Sequence, residues 1–263
     1  MRRSIFGKDL RDQVPGLVGW SIGVVMTVGI MGAFWPSMRD MAHIEPFLEA
    51  YPEQMRDLFD IDAMTSGSGF LNVELFSIML PIIFLVFGIA RGARSVAGEE
   101  EDGTLEMLAS LSVPRVRILV EKAAVLVVAV ATLGAVTLAS TVATSALFDM
   151  GVPLAEAAAA TAAMVAMGVE FGLVALAVGA HVGVRGVALG SASALAVASY
   201  LLYVAGVFVD WAETWRVFSP FQQALGGGPI GGGWQVSFLW MPAVGILAML
   251  VVAHRFDRRD LGS

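Results

Sequence analysis

The sequence predicts an all-α polytopic membrane protein: six transmembrane helices, both termini cytoplasmic, and a cytoplasmic helical insert between helices 2 and 3. Three observations predict it. The 263 residues are 57% hydrophobic and only 15% charged, against roughly 45–50% and about 25% in soluble domains, and the mean hydropathy is +0.77. Apolar runs of about 20 residues, enough to cross a ~30 Å hydrocarbon core, recur along the chain. No strand-like alternation competes with them, and only helices or closed barrels satisfy the backbone inside a bilayer. The same composition excludes other classes. The chain has no cysteine, which removes disulfides, thiolate metal sites and a cysteine nucleophile. A net charge of −7 and a pI near 4.9 argue against the basic face that a nucleic-acid partner requires. No metal site is expected.

The elements follow in order. The first span is read at 14–35, with Pro15 near its start and Pro36 just past its end. It exceeds the ~7–15-residue apolar core of a signal peptide, and residues 5–12 before it read as a short interfacial helix with Phe6, Leu10 and Val14 facing lipid. The second span, 70–90, is interrupted by Asn72, Glu74 and Pro81. The third, 123–148, carries one acid-free and base-free apolar run. The run 154–209 is too long for one helix and is broken between His181 and Gly186, which gives spans at 154–180 and 187–209. The sixth is 236–253. The result is one transmembrane domain over 1–263, with a cytoplasmic segment at 91–122 and outer loops at 36–69 and 210–235.

Charge orients it. Of the 16 basic residues, only Arg39, Arg56 and Arg216 fall on one side of this topology, and all the others fall on the opposite side with the two tails. The positive-inside rule therefore puts both termini in the cytoplasm of a cell-membrane protein. Trp35, Trp211, Trp215, Trp234 and Trp240 map near the outer boundary and Trp20 towards the inner one, as indole's preference for the headgroup region requires.

The segment 91–122 is the most informative. Four consecutive acids, Glu99 to Asp102, lead into Gly103 and Thr104, and Leu105, Leu108 and Leu111 then recur at helical spacing. Asp102 or Thr104 can cap the helix and Glu106 suits its first turn, while Pro114 ends it. This predicts a short amphipathic helix on the cytoplasmic face with an acidic edge. An edge of this kind is either a docking surface for a basic partner or a solvated charge run.

These residues carry a resemblance. Glu99, Glu101, Gly103, Thr104, Leu105, Glu106, Leu108, Val113, Arg115, Ile118 and Lys122 match, without a gap, the signature of ABC-2 type transporter permeases, the membrane subunits of ABC exporters. The usual Pro-Val-Ser-Arg appears as Ser112-Val113-Pro114-Arg115, which bears only on where the helix stops. Tyr51-Pro52-Glu53, Gly69-Phe70-Leu71, Glu74-Leu75-Phe76 and Pro81 also resemble a subset of this family, so the motifs span 51–122. Beyond them, the six-span topology and Ser219-Pro220-Phe221 agree. The resemblance implies that the insert is a coupling helix, with Glu99, Glu100, Glu101, Gly103, Thr104, Leu105, Glu106, Leu108 and Arg115 as its docking residues. It implies two copies of a separate ATP-binding subunit and a second copy of this permease or a homologous one, all in the lipid bilayer of a prokaryotic plasma membrane. No cofactor is expected in this chain, since the sequence contains no G-x-x-x-x-G-K-[ST] phosphate loop; ATP and Mg belong on the partner. The glycine runs 226–228 and 231–233 read as flexible linkers.

Other residues stand out within the spans. Glu170 falls near the middle of the fourth and Glu74 near the outer end of the second, with Asn72 as a neighbour. A charged residue at the bilayer centre costs roughly 2.5–3.5 kcal/mol on insertion scales, so such groups face the bundle interior or water. Glu170, Glu74 and Asn72 are candidates for the translocation path, or else polar ties between helices. Glu170 lies between Gly168 and Gly172, a spacing that permits close helix approach. Gly19 and Gly23 on span one, and Gly186 and Gly190 on span five, mark smooth faces, either internal packing or a seam between protomers, as the family resemblance implies. The first outer loop places Phe47, Tyr51, Met55 and Phe59 at helical spacing, and the segment 211–233 either dips into the membrane or lies as a surface loop.

Two other classes compete with an ATP-driven export permease. A secondary transporter would run ions through Glu74 and Glu170 but should show an inverted repeat between its halves, and none is visible. An intramembrane hydrolase would need His181 with Ser191 or Ser193, which lack a recognisable nucleophile elbow.

Overall fold

The computed structural model describes residues 5–39, 52, 55, 56, 64–103 and 114–256. Among these there is no strand, and six helices are long and apolar enough to cross a membrane. Helix α1 is Ile5–Arg39, α2 is Gly67–Glu101, α3 is Arg115–Leu147, α4 is Leu154–Val182 and α5 is Arg185–Phe208. Two short helices follow, α6 at Asp210–Arg216 and α7 at Pro220–Leu225. A 3-10 turn at Val236–Leu239 then opens into α8, Trp240–Phe256.

Residues 5–12 do not form a separate interfacial helix, because α1 runs unbroken through Pro15. Proline removes one intrahelical bond, and the stretch before it is held by side chains on α2 and α3 instead: Asp9 is buried against Lys122, and Gln13 accepts from Arg91. Helix α2 starts at Ser66, whose hydroxyl accepts from the Gly69 N–H at 3.0 Å, and it contains two π-helical stretches, Asn72–Met79 and Arg94–Gly98. The first ends just before Pro81, whose missing N–H and ring disturb the regular ladder. The Ser77 hydroxyl donates to the Asn72 carbonyl at 2.9 Å and the Ser95 hydroxyl to the Arg91 carbonyl at 2.7 Å, so carbonyls in the irregular regions keep partners within the bundle.

Helix α4 is the axis of the fold. It packs against α2, α3, α5, α7 and α8, and it is rich in buried alanine and glycine, as a helix surrounded on all sides requires. Gly88 and Gly92 of α2 face the backbone of Gly168 and Gly172 of α4. This parallel crossing is too close for any side chain. By contrast α1 and α5 sit on the outside, with Val14, Val18, Ile22, Val25, Ile30 and Phe34 exposed on the first and Leu195, Val197 and Leu201 on the second. The helices alternate in direction. Asp9, Lys122, Glu99 and Arg185 meet at one end of the bundle, while Gly67 meets Met150 at the other.

Candidate coupling and translocation site

The end of the bundle that holds Asp9 carries the charge. Helix α2 runs on through the acids and stops at Asp102, with Gly103 in the left-handed region at φ 69°, a conformation glycine adopts at no steric cost. Pro114 directly precedes α3, and the helix it is expected to end lies outside the described residues. Lys122, only 2% exposed, donates from Nζ to Asp9 Oδ2 at 2.7 Å and to Glu99 Oε1. Glu101 accepts from the Arg185 backbone N–H at 2.8 Å. Part of the acidic edge is therefore held by the bundle: Glu99, partly buried, joins α2 to α3 and through Lys122 to α1, while Glu101 joins α2 to α5 at the exposed surface. About two turns earlier on α2, Arg91 donates to Gln13 and lies 4.5 Å over the Phe87 ring, itself edge-on to Trp20 at 5.6 Å. A cavity of about 410 Å³ opens beside this cluster, lined among others by Asp9, Asp12, Arg91, Arg94, Glu99 and Lys122. Glu100 is half-buried and Gly103 exposed. Thr104, Leu105, Glu106 and Leu108, with Leu111, lie outside the described residues, as do Phe47, Tyr51 and Phe59.

The acids within the spans are not brought together. Gly88 faces Gly168 and Gly92 faces Gly172, so Glu170 is level with the region of Ala90 on α2. Glu74 lies sixteen residues earlier on α2, about 24 Å away along the axis at 1.5 Å per residue. Glu74 is half-buried, whereas Glu170 is 5% exposed and its Oε2 has no hydrogen-bond partner among the described residues. Asn72 does not pair with Glu74. Its Oδ1 accepts from the Ile230 backbone N–H at 2.8 Å, buried, which fastens the outer segment to α2.

That segment is built rather than slack. Gly227, Gly228, Gly231 and Gly233 all adopt positive φ, and Gln235 Nε2 donates to the Gly226 carbonyl at 3.2 Å, so the glycines serve turns and the expectation of flexible linkers is corrected. Ser219 caps α7 and donates to the Ser199 carbonyl at 2.8 Å. Phe221 packs edge-on to Tyr200 at 5.2 Å, while Trp211, Trp215 and Phe218 are exposed.

Two features escaped the sequence reading. The Gly88–Gly92 face of α2 has the same spacing as the glycines flanking Glu170, and that spacing was the available signal. An apolar groove of about 760 Å³ runs between α3, α4 and α8, lined by Ala131, Val165, Val169, Phe238 and Leu239 among others; it combines three distant segments and has no local pattern. At Gly19, Gly23, Gly186 and Gly190, an added Cβ meets nothing within 4 Å. His181 is exposed, and no hydrogen bond joins it to Ser191 or Ser193 among the described residues.

Six apolar helices, one of them buried at the centre of the others and with polar clusters at their ends, define a multi-pass membrane protein. The family described as multidrug efflux system permease Rv1217c, C-terminal domain, matches residues 3–256, and the chain belongs to it. It is thus a membrane-embedded efflux permease, a transport component rather than an enzyme. No curated protein and no solved structure matches the chain.

Proposed function

We propose that the chain is the permease subunit of an ATP-driven exporter of the ABC-2 type, working as a dimer and driven by two copies of a separate ATP-binding subunit that carries the ATP and Mg. The observation that carries this reading is the Glu99–Lys122 motif, which runs from the last turn of α2 into the first turns of α3, in a chain that belongs to a multidrug efflux permease family. Gly103, Arg115 and the residues between them are the docking surface, with Glu100 beside it, and both termini lie on that cytoplasmic side. The unfilled faces at Gly19, Gly23, Gly186 and Gly190 support a seam between two protomers, because small residues let helix backbones approach closely in lipid. Glu170, buried with Oε2 unpartnered, is the acid of the translocation path, where an isolated carboxylate suits a lipophilic cation. The roughly 24 Å between Glu74 and Glu170 speaks against one ion site shared by both, and so against a secondary transporter.

Purification of the tagged permease in mild detergent tests the proposal. An ATP-binding chain is expected to co-purify in equal amount, with ATP hydrolysis that depends on it. A monodisperse permease without such a chain, even after crosslinking in membranes, contradicts it. In the assembled complex, Glu170→Gln should reduce ethidium export at least tenfold while leaving thermal unfolding near the parent value.

A further inference from the structure

The last turn of α2 is tied to three other spanning helices through charge and polar contacts: to α1 and α3 through Lys122, which holds Asp9 and Glu99, and to α5 through Glu101 and the Arg185 N–H. A simple packing tie between helices in lipid needs no charge at all. Here the Lys122 ammonium and the Asp9 carboxylate are buried, with Glu99 partly exposed beside them, and a buried charge is costly unless it is paired. A cluster of this kind is made or broken rather than stretched, as the contacts of a two-state switch between packed helices must be. Glu99 also follows directly on the π-helical stretch Arg94–Gly98, an irregular ladder of the sort that marks hinges in helices. The polar cavity of about 410 Å³ on one side of the cluster leaves the turn room to move.

We infer that Lys122 is a positioning residue of the export cycle: it locks the last turn of α2 to α1 and α3, so that motion at the Arg94–Gly98 joint carries α1 with it. The inference rests on the reading of the chain as a permease driven by a separate ATP-binding subunit. In a bundle that moves as one body at this end, force applied where α2 gives way to α3 reaches the helix that bears the open Gly19–Gly23 face. Without the lock, α2 and α3 yield while α1 stays behind.

The test uses the permease assembled with its ATP-binding subunit in lipid vesicles, and reads ethidium exported per ATP hydrolysed. The wild-type complex is scored first; failure to assemble or to export the dye overturns the underlying reading and is visible before any variant is made. Lys122→Met should lower the export ratio at least tenfold. The triple variant Asp9→Asn, Glu99→Gln, Lys122→Met keeps the side-chain volumes and leaves no uncompensated charge, so it decides the matter even where the single variant does not fold. It should assemble and hydrolyse ATP with the export ratio still at least tenfold down. A triple variant with the wild-type ratio overturns the inference, and so does one that fails to assemble, since the cluster then serves the fold alone.

Discussion

Gly88 and Gly92 on α2 share their four-residue spacing with Gly19 and Gly23 on α1, but a Cβ added to the first pair strikes the carbonyls of Gly168 and Gly172, while one added to the second meets nothing within 4 Å. Spacing alone gives a smooth face in either case. What separates them is the opposing helix. Helix α4 offers its own glycines at the matching height, and without a hydrophobic drive between helices in lipid, close van der Waals contact is what holds such a pair together. The α1 face, like that of Gly186 and Gly190 on α5, is equally smooth and is left uncovered within the protomer. One glycine pair closes the bundle; the other faces outward.

The largest effect is expected on the closed side. Gly92→Leu forces a side chain into the Gly172 backbone, which cannot give way as a flexible side chain does, and overpacking of this kind costs about 3 kcal/mol or more. Loss of folded permease in a detergent unfolding assay is the expected result; normal folding would show that α2 and α4 do not cross there. Next comes Asn72→Ala, which removes the acceptor of the buried Ile230 N–H. Leaving such a donor unsatisfied costs about 1–3 kcal/mol, and hydrogen exchange over 226–235 should rise while the remainder of the bundle stays protected. Unchanged exchange there would mean that the glycine turns hold the segment unaided. The smallest effect on the protomer belongs to the open side. Gly19→Leu with Gly190→Leu should shift unfolding by less than about 1 kcal/mol, since both side chains enter open space and glycine is itself a poor helix former. The dimer population measured by crosslinking should fall instead. Equal loss of fold from Gly19→Leu and Gly92→Leu would erase the distinction.

How much of this was legible follows from the range of each signal. The six helices are written locally, as apolar runs of bilayer length, and the turn at Gly183, in the left-handed region at φ 77°, falls within the break between His181 and Gly186. The acidic run reads as a surface edge, whereas Glu99, at the end of α2, is clasped by Lys122 of α3; the amphipathic helix expected after it lies outside the described residues. Glu99 meets Lys122 across 23 residues and Asp9 meets Lys122 across 113, and no periodicity reports such distances. Lys122 offered a hint as one of only two lysines among sixteen basic residues. Asn72 is similar: of its two readings, path residue or polar tie, the structure shows a tie, to a backbone N–H 158 residues away that no local pattern could name. Glu170 was legible as a buried acid from its place in an apolar span, and its lack of a partner at Oε2 emerged only from the packing.

The central claim is that this efflux permease moves its cargo with energy supplied by another chain. The most direct measurement is ethidium transport in sealed vesicles containing the permease with and without the ATP-binding subunit, with ATP and ion gradients supplied separately. The account predicts transport only when both chains and hydrolysable ATP are present, and none on a proton or sodium gradient alone. Transport by the permease alone on an ion gradient would contradict it and would return Glu170 to the role of an ion-coupling acid.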